Sequence, residues 1–303
     1  MKNAKRLLAM LLALLMVMSS IVTVSASTEE PEPTTWWDAN AATAFAGGSG
    51  TEADPYLIST PAQFAYFAKY LEGGALSSKT ALTYFQLTED LDMSDHQWKP
   101  VGYTAKARSN SPSNNNTKKN TLNKAVLDGN GKTVSGVKLT ASGHIYQAGC
   151  ALFTRIVDST VKNLNLEVKI KNPDIKKSGY YRVLSASSTD VLASGTGVAA
   201  LAAGAFGETV IDNVNVTVNM VSNAANLEMI YAGLVAFTKD KVVIKNSTVA
   251  GSIDVTLASG TVSTVAGVVG LYNASEISNV TSDVDINVNA SAKVDVGGVV
   301  ANA

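Results

Sequence analysis

GLVAFTKDKVVIKNSTV, residues 233–249, opens with a glycine-led apolar strand, passes through a polar turn and resumes in a second strand that opens on Asn246. The same arrangement recurs in ALFTRIVDSTVKNLNLEV (151–168), GAFGETVIDNVNVTV (204–218) and GVVGLYNASEISNVTSD (267–283). The equivalent asparagines are Asn163, Asn213, Asn246 and Asn279, at intervals of 50, 33 and 33 residues. The first interval is 17 longer, and Lys171–Gly197 reads as the insertion that accounts for it. A further unit opens at Gly298 (GVVANA), so the sequence is expected to be a fragment of a longer chain.

A unit of about 33 residues with short strands cannot bury its own apolar face, whereas stacked copies bury a continuous core. From about residue 82 onward, runs of Val, Ile, Leu and Thr at period two alternate with Asn, Asp, Ser and Gly, the pattern of strands and turns. Small interior residues and asparagines at equivalent turns suit stacked β coils with side-chain ladders. Two stretches break the pattern, the polar tract Ala105–Asn123 and the Lys171–Gly197 insertion. The expected fold is all-β, a parallel β-helix over residues 81–303.

Composition narrows the functional classes. The chain has 303 residues, 46% apolar and 16% charged, which excludes a disordered chain and a coiled coil. A net charge of -1 leaves no electrostatic footprint for nucleic acid. The single cysteine, Cys150, rules out a disulfide framework and a thiolate zinc cluster.

Residues 1–26 read as an export signal: Lys2, Lys5 and Arg6 precede the apolar run Leu7–Val17, and Val24-Ser25-Ala26 supplies the cleavage site. The apolar run is too short to span a bilayer, which takes about 20 residues. Membrane contact is therefore expected only before cleavage. The mature chain would carry 21 cationic and 25 anionic residues. Export without disulfides points to a bacterial surface protein. The sequons at Asn115, Asn215, Asn246, Asn273 and Asn279 then follow from Asn/Thr/Ser richness, and in a eukaryote they would be glycan sites.

Residues 27–35 form a Pro/Glu-rich linker, and residues 36–80 a capping segment. Within it Pro55–Ser59 reads as a short strand. Thr60-Pro61-Ala62-Gln63 then combines an N-cap, a proline at the first helical position and a capping box. Phe64, Phe67, Ala68 and Leu71 share one face of a helix over 61–71, ended by Gly73-Gly74. This helix is expected to cover the open edge of the first coil.

These units resemble the GLUG motif of bacterial surface proteins, carried here by Gly233-Leu234-Val235, Gly267-Val268-Val269-Gly270 and Gly298-Val299-Val300. Gly47–Ile58, Leu87–Met93, Trp98–Gly102 and Leu127–Gly136 are similar to the opening of the same proteins. The sequence departs from the motif at Ala236 and Ala301, and the Gly204 unit has no Gly-Leu pair. The resemblance implies a right-handed parallel β-helix on the cell surface, within long adhesin-like chains. Similar repeats occur in the N-terminal regions of immunoglobulin A metallopeptidases. It implies no catalytic residue.

Three residues are candidates for ligand contact. Asp90 and Asp92, at i and i+2 of a strand, would face one way about 6.8 Å apart, within the roughly 6.5–9.5 Å that separates the carboxyls of inverting glycosidases. On that reading Tyr84, Gln86 and Thr88 share their face, Leu87, Leu91 and Met93 point inward, and Glu89 falls on the inward side. The simpler reading is a pair of solvated carboxylates. Trp98, with Trp36 and Trp37, could stack on a sugar or pack near the capped end.

Asp128-Gly129-Asn130-Gly131 reads as turn chemistry rather than a calcium loop. His96 and His144 have no partner at metal-ligand spacing, and Cys150 lies in an apolar run. No cofactor, metal or catalytic residue is expected. The function expected first is a secreted or cell-surface solenoid that binds extracellular polysaccharide or a host or matrix surface, or acts as a spacer. The alternatives are the N-terminal region of a larger surface peptidase, and a polysaccharide lyase or hydrolase.

Overall fold

A computed structural model describes residues 33–76, 79–102, 121–140, 149–171, 196–224, 229–257, 263–273 and 275–302. The export signal, most of the linker, the 105–120 part of the polar tract, His144 and the interior of the insertion lie outside the described residues.

The chain winds into stacked coils. Strand β1 (Tyr56–Ile58) precedes helix α1 (Pro61–Glu72), and the next coil holds β2 (Thr83–Leu87), β3 (Leu91–Asp92) and β4 (Leu122–Asn123). Then come β5 (Ala125–Asp128), β6 (Thr133–Thr140) and β7 (Ile156–Val157), followed by β8 (Thr160–Lys171), β9 (Thr196–Ala199) and β10 (Ala205–Phe206). The last three coils are β11 (Val210–Ala224), β12 (Met229–Ala232) and β13 (Val235–Lys239); β14 (Val243–Leu257), β15 (Ser263–Ala266) and β16 (Val269–Leu271); and β17 (Glu276–Ala290), β18 (Val294–Gly297) and β19 (Val300–Asn302). Every strand-to-strand pairing is parallel, in sheets of nine, six and four strands. The protein is a parallel β-solenoid of about six turns.

Register follows the repeat. Val210 pairs with Thr160 and Val243, and Val243 with Glu276, the 50-, 33- and 33-residue steps of the sequence. At one corner Asn163, Asn213, Asn246 and Asn279 all have positive φ, between 51° and 55°. A non-glycine residue there costs about 1–2 kcal/mol, least for Asn and Asp. The corner bends each long strand and frees the amides to reach the next coil. Asn279 Nδ2 donates to Asn246 Oδ1 (2.8 Å), Asn246 Nδ2 to Asp212 Oδ1 (2.8 Å), Asn213 Nδ2 to Asn163 Oδ1 (3.0 Å) and Asn163 Nδ2 to Asp128 Oδ1 (3.1 Å). The asparagine ladder is therefore continuous in place but changes partner at Asp212. Asn213→Ala is expected to lower stability by about 2 kcal/mol in a denaturant melt, and Asn213→Gly by clearly less, because glycine accepts positive φ. Equal losses would assign the effect to the amide alone.

The second unit starts earlier than its glycine suggests. Ala202 bridges Phe153 and Val235, and Ala205 pairs with Thr238, so Gly233-Leu234 is matched by Ala200-Leu201 and not by Gly204. The leucine column Leu152, Leu201, Leu234 continues in Val268, all fully buried. Beside it the turn residue is Gly233 and then Gly267, where coils approach closely: a Cβ on Gly233 would lie 2.2 Å from the Gly267 carbonyl oxygen.

A second core sits outside the main one, where Ala199, Ile230 and Ala232 meet Ala236 and Phe237. One coil on, the Ile230 and Phe237 positions become Thr264 and Leu271, and then Asp295 and Asn302, joined by a hydrogen bond from Asn302 Nδ2 (3.0 Å). At the other end Arg155 lies over the Phe206 ring, 5.6 Å from its centroid, and burial pushes its guanidinium down to about 10.

The cap divides its task. Thr60 Oγ1 accepts from the Gln63 backbone N–H (3.2 Å), and Gln63 Oε1 accepts from Ser59 rather than Thr60, so the capping box closes one residue early. Phe64, Ala65, Phe67 and Leu71 are buried, with Phe67 4.7 Å from Phe85 and 6.3 Å from Phe153. The helix thus plugs the apolar interior. The backbone edge itself is covered otherwise: β1 is only three residues long, and Gly47 bridges Leu57 antiparallel on its outer side. Packed structure also starts before Trp36, since Gln97 Nε2 donates to the Pro33 carbonyl (2.7 Å). Similarly, β4 already occupies Leu122–Asn123, the end of the polar tract.

Candidate functional site

Asp90 and Asp92 do not share a strand. β2 ends at Leu87, the chain bends at Glu89 and β3 starts at Leu91, so Thr88–Asp90 forms the corner of this coil. Glu89 is accordingly exposed rather than inward. Each carboxylate holds backbone: Asp90 Oδ1 accepts from the Thr133 N–H of the next coil (2.7 Å), and Asp92 Oδ1 from Ser94 (2.9 Å). The hydrogen bonds from Ser94 keep the Asp92 carboxyl below its ordinary value, the reverse of what a general acid needs. Trp98 is 1% exposed, its indole N–H donates to the Leu152 carbonyl (3.1 Å), and Phe64 covers it at 5.2 Å. Trp37 is buried and donates to the Met93 carbonyl (2.9 Å). Neither ring has an open face for a sugar.

The buried titratable groups are structural. Cys150 is fully buried, and burial raises its thiol well above the ordinary range. Burial likewise pushes Tyr231 up to about 12, with its hydroxyl 2.9 Å from Ser222 Oγ. Burial raises the Glu72 carboxyl above its ordinary value, and the Lys99 ammonium, 3.7 Å from both Glu72 and Asp38, offsets only part of that rise. Among the described residues no group of three or more His, Cys, Asp or Glu side chains could hold a metal ion. The amides of Asn246 and Asn279 are donors in the corner ladder, and Asn215 Nδ2 donates to Asn165 Oδ1 (3.1 Å), so these three sequon asparagines are occupied by coil-to-coil bonds.

What the coils do bring together is one broad polar wall, the outward side of β8, β11, β14 and β17. On these strands Leu166, Val168, Val216, Val218, Val249 and Ile253 point inward, and their neighbours form columns across the coils. One column runs Thr133, Asn165, Asn215, Thr248, Thr281; Thr248 Oγ1 donates to Asn215 Oδ1 (2.7 Å). Another runs Lys138, Lys169, Asn219, Ser252, Asp285. A third runs Lys171, Val221, Asp254, Asn287, with Asn287 Nδ2 donating to Asp254 Oδ1 (2.9 Å). Hydroxyls and amides thus repeat at the strand spacing of about 4.8 Å in one direction and about 6.8 Å in the other. This wall is not legible in the sequence, because its columns exist only once the coils are in register.

The fold and this wall define a parallel β-solenoid with an ordered polar side. No protein-family model matches the chain, and no curated protein matches it. Among solved structures, the crystal structure of a provisionally named immunoglobulin A1 protease from Bacteroides ovatus is similar at 14% identity and a TM-score of 0.36, over 82% of this chain and 87% of that one. A likeness of that degree carries no inference about activity.

Proposed function

We propose that this chain is an exported, adhesin-like binding module of a bacterial surface protein, related to those carrying GLUG repeats, and that it binds extracellular polymer along the wall formed by β8, β11, β14 and β17. The observation that carries this reading is the wall itself: columns of Asn, Thr and Ser on a rigid ladder present hydrogen-bonding groups at a fixed repeat, as a polymer with its own repeat requires. The export signal read from residues 1–26 and the repeat resemblance support the location.

The test is a panel of immobilised polysaccharides and matrix proteins titrated with the mature chain. Saturable binding of a polymer, lost when Thr217 and Asn219 at the centre of the wall are both replaced by Glu, is the expected result. Binding that survives those replacements would move the site elsewhere, and no saturable binding in the panel would overturn the reading.

A further inference from the structure

The cap helix is fastened to an extended strap, residues 33–37, that precedes it. Gln97 holds this strap: its backbone N–H donates to the Thr35 carbonyl (2.9 Å), its Nε2 to the Pro33 carbonyl (2.7 Å), and its own carbonyl accepts from Trp37 (3.1 Å). The strap runs into a single 3₁₀ turn, Trp37–Asn40, which carries Asp38. Lys99, two residues after Gln97, lies 3.7 Å from Asp38 Oδ2 and 3.7 Å from Glu72 Oε2. Strap, cap helix and the coil of β2 and β3 thus meet in one cluster of three charges.

Two carboxylates share that ammonium, and Glu72 is the worse placed of them. It is the last residue of α1, where the helix dipole presents its negative end. Its side chain is 23% exposed against 40% for Asp38, and Trp37, Ala65, Ala68 and Trp98 line the cleft around it. Apolar walls, a second carboxylate and a helix C-terminus all favour the neutral acid. Burial, and after it the Asp38 charge, raise the Glu72 carboxyl; Lys99 and the Gly102 backbone N–H pull the other way without cancelling them. Lys69 lines the same cleft from the preceding turn of α1. His96 meets the strap elsewhere, its Nδ1 2.5 Å from Thr35 Oγ1 and its ring 4.6 Å from that of Trp37.

We infer that the Asp38–Lys99–Glu72 cluster is an acid-tightened latch, which takes up one proton and so fastens strap and cap helix more firmly as the surroundings acidify. A carboxyl that protonates more readily in the fold than in the unfolded chain costs stability while it is ionised. The cap therefore gains stability as pH falls toward the ordinary glutamate value of about 4.3, and loses that gain as pH rises. Because α1 plugs the apolar interior, the latch keeps the solenoid closed in acid.

Glu72→Gln stays uncharged at every pH and stands in for the latched form. All three tryptophans, Trp36, Trp37 and Trp98, lie in the strap or beside the cleft, so their fluorescence in a urea titration reports on the cap. The E72Q midpoint should lie above the parent's at about pH 7, and the two should converge by about pH 4 as the parent takes up its proton. Carbon NMR of the parent should show the Glu72 carboxyl titrating above the exposed glutamates, a result that needs no variant to fold. An E72Q midpoint below the parent's at neutral pH, or a gap that stays constant with pH, overturns the latch, as does a Glu72 carboxyl that titrates with the exposed ones. A pH-dependent gap between H96Q and the parent, with none for E72Q, would give the switch to the histidine and overturn this assignment too.

Discussion

Gly233→Ala is expected to lower stability by about 3 kcal/mol or more, at the upper end of what overpacking costs. The added Cβ would lie 2.2 Å from the Gly267 carbonyl oxygen and 2.6 Å from Val249 Cγ1. Neither neighbour can yield cheaply. The Gly267 peptide is held by its own N–H bond to the Gly297 carbonyl (3.1 Å), and Gly233 by its bond to the Ala266 carbonyl (3.1 Å). Relief requires the coils to separate, which breaks ladder bonds on both sides. Gly298 lies in the same column, but a Cβ there meets nothing within 4 Å, so Gly298→Ala should be nearly silent. Urea unfolding of the two variants provides the check, and equal midpoints would refute the close-approach account of this column.

The second large effect is expected at the cap. Phe67 is fully buried and touches rings from two later coils, Phe85 and Phe153. Phe67→Ala should cost about 3–5 kcal/mol, the usual range for emptying a buried phenylalanine site. Because the helix plugs the apolar interior, the loss should also appear as dye binding to newly exposed apolar surface and as self-association at rising concentration. Phe67→Leu retains most of the volume and should recover most of both. A Phe67→Ala protein that melts with the parent and stays monomeric would show that the interior is closed without this side chain.

The repeat phase was legible because a residue with a conformational duty marks it. Asparagine tolerates the positive φ of the corner, so the spacing of Asn163, Asn213, Asn246 and Asn279 transferred directly into the register. Glycine was a poorer marker. Where Ala200 takes the place that Gly233 fills one coil later, the Gly-Leu pair vanishes from the sequence, and the unit was aligned on Gly204 instead. The carboxylate pair failed for another reason. Leu87 and Leu91 are both inward, and four residues separate them whether the chain continues straight or turns a corner between them, so period two ran unbroken through a bend. The pairing of Lys138 with Lys169 was hidden because the two are 31 residues apart, off the 33-residue period, and the register shift between Val134 and Val137 is what aligns them.

The winding also sets how far the chain can reach. Each regular unit takes 33 residues, from Val210 to Val243, to advance one strand spacing of about 4.8 Å along the axis. A polyproline segment covers about 3.1 Å with a single residue, so two of its residues go further than a whole coil. A stalk built for distance would not be made this way. What the coil yields for its length is breadth: each step adds a row of outward side chains to a wall that keeps its shape, so lengthening this protein multiplies contacts far faster than it extends reach.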